Sequence, residues 1–184
     1  MSLDNYNEVF RSQRIFKNLI DVFSHPFRVC NIESDSPVKE LCFVLLDSEV
    51  SFYVDDDGSA LSSEIKEMTY AKAKGIELAD FIIVTDPKKF EMFDKIKQGT
   101  LANPHESATV VVYIPEIKGD EKIAAEGPGI DGSLSCDVNK DIIDFIDRAN
   151  REDIEYPKGF EIIFVTQSAD IIAVPRRVKV RRGI

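Results

Sequence analysis

The stretch Tyr156–Arg177, YPKGFEIIFVTQSADIIAVPRR, holds two apolar runs, Glu161–Thr166 and Ile171–Val174, around the polar turn Gln167-Ser168-Ala169-Asp170. Short β-rich runs separated by such a turn predict an antiparallel hairpin. Upstream, Phe81–Thr85 (FIIVT) and Val110–Ile114 are solidly apolar, the pattern of central strands covered on both faces. Between and before them the apolar spacing becomes helical. Val9, Phe16, Leu19, Ile20 and Phe23 make an amphipathic N-terminal helix, ended by Ser24-His25-Pro26. Leu41–Leu46 continues a helix entered near Pro37. Val50–Val54 is a strand closed by the turn Asp55-Asp56-Asp57-Gly58, and a helix runs from about Ser62 to Lys72.

The later chain follows the same rules. Asp86-Pro87 supplies an N-cap and a first-turn proline for a helix ending at Gly99. Lys122–Glu126 is a strand expected beside Val110–Ile114 and stopped by Gly127-Pro128-Gly129. Asp137 or Asn139 caps a helix with the stripe Ile142, Phe145, Ile146 and Ala149. Helices and apolar strands alternate before the closing hairpin. The expected fold is α/β, three-layer, with a mixed and partly parallel sheet, in a single domain over residues 1–184.

Composition narrows the function. Lys and Arg number 23 against 33 Asp and Glu, a formal net charge of −10. Such a chain does not coat nucleic acid or anionic lipid by bulk electrostatics. No apolar run approaches the roughly 20 residues of a membrane helix. The start MSLDNYNEVF has neither a basic end nor an apolar core, so no signal peptide is expected. Cys30, Cys42 and Cys136 are an odd set without a CxxC pair, unlike a disulfide framework or a zinc site, and fit a reducing, cytoplasmic location. Only the end is basic: Arg176, Arg177, Lys179, Arg181 and Arg182 occur with no acid among them. As a strand this segment turns Arg177, Lys179 and Arg181 one way and Val178 and Val180 the other. Its charge either guards a sheet edge or docks an acidic or phosphate-bearing partner.

Other candidates are sparse. Asp55-Asp56-Asp57-Gly58 with Glu64 imitates a calcium loop, but the first ligand position would fall on Tyr53, which offers no suitable oxygen. No metal is expected. His105 with Glu106 is a candidate general-base pair lacking a visible nucleophile, and His25 is the chain's other histidine. Cys30 and Cys136 read as small core residues before nucleophiles. The glycines of Gly127-Pro128-Gly129 suit a tight turn; facing an anion with backbone N–H groups is the alternative. Lys88, Lys89 and Lys97, the lysines available for a Schiff base, fall on the expected helix 87–99, where a solvated face explains them.

Four stretches together resemble the PhnH family, a subunit of the bacterial carbon–phosphorus lyase system. They are VFRSQRIFKNLIDVFSHPFRV from Val9; QGTLANPHESATVVVYI from Gln98; Gly127–Ile130; and Tyr156-Pro157, Gly159-Phe160-Glu161 and Val174-Pro175-Arg176. Departures are Phe27, where the family often has glycine, and Glu161 and Arg177, where it usually has aspartate and threonine. The resemblance implies a fold related to the pyridoxal-phosphate-dependent transferases without the cofactor. It also implies a homodimer in isolation and assembly with the other lyase core subunits. On the same resemblance, the complex is expected to transfer a phosphonate to the ribose C1 of ATP with release of adenine. Arg176, Arg177, Gly127 and Gly129 are the residues singled out for partner or ligand contact. A free-standing transferase with bound pyridoxal phosphate and a phosphonate- or phosphate-binding domain are the alternatives.

Overall fold

A computed structural model describes residues 3–56, 60–149 and 154–183. In chain order its elements are α1 (Leu3–Ser24), β1 (Cys30–Asn31), α2 (Pro37–Leu45), β2 (Ser51–Val54), α3 (Ala60–Thr69), β3 (Lys72–Ala73), β4 (Phe81–Val84) and β5 (Thr109–Ile114). Then follow β6 (Glu121–Glu126), β7 (Leu134–Val138), α4 (Lys140–Ala149), β8 (Glu161–Thr166), β9 (Asp170–Val174) and β10 (Lys179–Arg182). Single 3₁₀ turns occur at Phe93–Lys95 and Pro104–Glu106.

Seven strands form a mixed sheet in the order β1-β9-β8-β5-β4-β2-β3. Strands β3, β2, β4, β5 and β8 run parallel, and β9 and β1 are antiparallel additions at one edge. Pleat alternation divides the core. Val111, Ile163, Ile171 and Ala173 pack beneath α1 and α2, while Phe52, Val54 and Ile83 meet α2 and α3. On the other face Ile82, Val84, Val110, Val112, Ile162 and Phe164 meet α4 and the inward side of a small sheet, β10-β6-β7. The three layers are therefore helices, the large sheet, and α4 with the small sheet.

The expected hairpin forms in register, with Val165 opposite Ile171 and Ile162 opposite Val174. Asn139 is the α4 cap, its side-chain oxygen accepting the Asp141 N–H at 2.8 Å; Asp137 lies within β7. The helix expected to end near Lys72 stops at Thr69, because Tyr70 takes a left-handed φ of 60° and the chain enters β3. The turn at Asp57-Gly58 lies outside the described residues.

Three expectations are overturned. The segment 87–99 is turns and a single 3₁₀ turn instead of a helix. Phe90 and Ile96 are both buried, and Phe90 and Phe93 lie 6.0 and 4.9 Å from the Phe145 ring, centroid to centroid. Arg148 donates to the carbonyls of Pro87, Lys88 and Phe90, so those acceptors are used by a side chain. Tertiary packing outweighs a local helix start worth only about 1 kcal/mol. Second, β6 does not adjoin β5, whose two edges are occupied by β4 and β8; it pairs with β10 and β7. Third, the buried face of α1 is Ile15, Leu19 and Val22, whereas Val9, Phe16 and Ile20 are 44%, 53% and 52% exposed.

Candidate functional site

The amino ends of the parallel strands lie side by side, with Phe81 opposite Thr109 and Thr109 opposite Glu161. Here the four stretches singled out in the sequence meet. The loop between Lys97 and Ala108 is closed by the Ala108 N–H donating to the Lys97 carbonyl at 2.8 Å and by a bridge between Gln98 and Ser107. The Gly159 N–H donates to the Gln98 carbonyl at 2.9 Å, joining that loop to the chain entering β8.

Arg176 ties the same elements together. It follows Pro175 at the end of β9, next to the start of β8. Its backbone N–H donates to Glu161 Oε2 at 2.6 Å, its Nε donates to Glu161 Oε1, and its Nη1 donates to the Pro104 carbonyl at 2.7 Å. The carboxylate thus takes one side-chain and one backbone N–H, and the charge-assisted bond from Nε is of the stronger kind. Both side chains are only 20% exposed. Arg176 thus acts inside the chain.

The Gly127–Ile130 turn joins the remaining stretches. Gly127 (φ 145°) and Gly129 (φ 85°) take conformations that side chains resist. A Cβ on Gly127 would lie 2.9 Å from the Arg177 carbonyl oxygen, and one on Gly129 would lie 2.3 Å from that of Ser24. Close backbone approach is what these glycines supply. The turn is closed by the Ile130 N–H donating to the Gly127 carbonyl at 3.1 Å.

Arg177 differs from its neighbour. It is exposed, and its guanidinium lies 4.1 Å from the centroid of the Tyr156 ring, itself 61% exposed. Sequence reasoning singled out Arg177 but missed this pairing, since nothing in a separation of that length signals contact. His105 and Glu106 sit in the exposed turn Pro104–Glu106, and among the described residues neither side chain has a hydrogen-bond partner. They are not joined to a nucleophile.

The remaining candidates are dispersed. Cys30 donates to Asp21 at 3.4 Å, and burial first, then the Asp21 carboxylate, pushes its thiol up. Burial and then Asp137 raise Cys136, and burial pushes Cys42 up to about 12. Each change reduces the thiolate available for attack. Lys88 pairs with Asp141 at 3.3 Å, Lys89 with Asp86 at 2.8 Å, and Lys97 with Asp80. His25 Nδ1 faces the Asp21 carboxylate at 3.0 Å. Asp55 accepts the Thr85 hydroxyl at 2.7 Å and the Thr85 and Asp86 N–H groups, tying β2 to β4. No cluster of three or more His, Cys, Asp or Glu suited to a metal occurs among the described residues. No helix among them is long and apolar enough to cross a membrane.

One open cavity of about 490 Å³ lies beyond the carboxyl end of β4, lined by Lys88, Glu91, Lys140, Asp141, Asp144 and Arg148 among others. Several of its charged side chains are already engaged. Lys88 pairs with Asp141, Asp144 with Arg182, and Arg148 holds backbone carbonyls.

A sequence profile of the bacterial phosphonate metabolism protein (PhnH) family matches residues 5–181. The chain is 24% identical, over 90% of its length and 84% of the relative's, to a protein of Stutzerimonas stutzeri named as a C-P lyase subunit, HtxG. It is 23% identical, over 95% of its length and 92% of the relative's, to the alpha-D-ribose 1-methylphosphonate 5-triphosphate synthase subunit PhnH of Rhizobium meliloti (strain 1021). With a match that runs through every strand and helix described above, the chain belongs to the bacterial phosphonate metabolism protein (PhnH) family.

Proposed function

We propose that this chain is a subunit of a carbon–phosphorus lyase assembly in phosphonate breakdown. Its contribution there is to the step that places a phosphonate on the ribose C1 of ATP with loss of adenine. The observation that carries this reading is the junction. The stretches that mark the family converge on a rigid packing unit, while His105, Glu106 and the cysteines are not gathered into a reaction centre. A chain so arranged supports chemistry by fitting against other proteins.

In this reading the fold is kin to the pyridoxal-phosphate-dependent transferases, with no cofactor of its own, and the protein works in the cytoplasm. In isolation it forms a homodimer. The exposed Val9, Phe16 and Ile20 of α1 support such pairing, because a stripe of half-exposed large apolar side chains is a surface another protein covers.

The test is reconstitution with the sibling lyase subunits. Adenine release from ATP and methylphosphonate is expected only when this chain is present; equal release without it would end the proposal. An absorption band near that of a lysine-bound aldimine after adding pyridoxal phosphate would favour the free-standing transferase instead.

A further inference from the structure

We infer that Tyr156 and Arg177 form a docking anchor for an acidic segment of a partner protein, an inference that rests on the assembly reading above. Two adjacent arginines are used in opposite ways. Arg176 is half-buried against Glu161 and the Pro104 carbonyl. Arg177 is exposed and, among the described residues, has no carboxylate partner, although the chain carries 33 acidic residues. Instead its guanidinium lies over an exposed tyrosine ring, 4.1 Å from the centroid.

That contact restrains the guanidinium before any partner arrives, while both side chains stay exposed. Stacking on a ring contributes about 0.5–1 kcal/mol at an exposed site and reduces the rotamer freedom lost on binding. The surroundings are consistent. The strand expected from Arg176 begins only at Lys179: Arg176 and Arg177 form a turn closed by the Val178 N–H donating to the Pro175 carbonyl at 2.9 Å, and Arg177, Lys179 and Arg181 are all exposed. Glu126 stands opposite Lys179 in the β10–β6 register, whereas Arg177 precedes the paired strand. Tyrosine and arginine are among the residue types that concentrate binding energy at protein interfaces.

A protein occupant is favoured over a small anion because the pair lies on open surface. One exposed ion pair is worth roughly 0–1 kcal/mol, too little to retain free phosphate, but it adds usefully to a contact that already buries surface around it. Charge complementarity selects an acidic segment.

The experiment uses the full chain titrated against its sibling lyase subunits, with Arg177→Ala, Arg177→Lys and Tyr156→Ala beside the wild type and melting temperatures as the folding control. Arg177→Ala is expected to weaken assembly at least about tenfold, and Arg177→Lys to recover only part of the loss, since lysine lacks the planar fork. Added salt should weaken the wild type more than Arg177→Ala. Equal affinity of the wild type and Arg177→Ala, with assembly intact, overturns this inference alone. Failure of the wild type to assemble overturns the proposed function as well. Saturable binding of inorganic phosphate to the isolated chain, lost in Arg177→Ala, would make the pair a small-anion site and also overturn it.

Discussion

Arg176 holds Glu161 from two directions, with its backbone N–H 2.6 Å from one carboxylate oxygen and its Nε bonded to the other. The pair joins the last residue pairs of the β8–β9 hairpin to the Pro104 turn. Arg176→Ala keeps the backbone N–H bond to Glu161 Oε2 but removes the guanidinium bonds to Glu161 Oε1 and to the Pro104 carbonyl. We expect a loss of about 2–3 kcal/mol in urea unfolding, because charge-assisted bonds of this kind are costly to leave half-made. Arg177→Ala, at an exposed position where only the contact with Tyr156 is lost, should unfold within about 1 kcal/mol of the wild type.

Gly129 and Gly132 give a paired test of close approach. Both have positive φ, 85° and 72°, but a Cβ on Gly129 would meet the Ser24 carbonyl oxygen at 2.3 Å and one on Gly132 would meet nothing within 4 Å. Gly132→Ala should cost about 1 kcal/mol of backbone strain. Gly129→Ala carries that strain and must also displace the end of α1, so it should cost clearly more. Equal melting temperatures for the two variants would show that the contact does not constrain the turn.

Phe27 occupies a left-handed conformation, φ 64°, yet its ring is 91% removed from solvent within the core that includes Val174. Phe27 departs from the glycine that the resembled family often has here, and the φ value explains why glycine suits the backbone. Removing the ring should cost about 3–5 kcal/mol, while glycine alone recovers about 1 kcal/mol of strain. Phe27→Gly is therefore expected to be destabilised, but less than Phe27→Ala, the reverse of their usual order. Urea denaturation of the three proteins checks the ranking.

Asp80 accepts the Ser51 N–H at 2.9 Å and the Ser51 hydroxyl at 2.6 Å, and it also pairs with Lys97. Burial opposes its ionisation, but the bonds from Lys97 and Ser51 outweigh that and hold its carboxyl below the ordinary value of 3.8. A folded pKa below the unfolded one stabilises the native state above the unfolded value, and the contribution is lost as pH falls through the folded value. The loss should therefore lie below about pH 4. In Asp80→Asn the stability difference from wild type should be largest near neutral pH and shrink in acid, measured by denaturant midpoints across that range.

Much of the architecture was legible because it follows from local rules. The hairpin, the apolar strands Phe81–Val84 and Thr109–Ile114, and the α4 stripe each announce themselves by period and length. The segment 87–99 did not, since its proline and aspartate promise a helix that Phe145 and Arg148, far along the chain, forbid. Strand β7, with the sequence LSCDV, has too little β-branched content to stand out. The outward turn of Val9, Phe16 and Ile20 on α1 was equally hidden, because a helix with apolar residues on two sides has two possible buried faces and only packing chooses.

Residue order along the chain was sufficient for the layered α/β class, the acidic balance with its basic end, and the motifs that mark the family. It could not say that Arg176 would turn inward while Arg177 lies on Tyr156, nor that all four marked stretches would share one junction. Periodicity and turn chemistry act over a few residues and can be read locally. Which side chains meet across the sheet depends on strand order and register, and these are settled only when the whole core packs together.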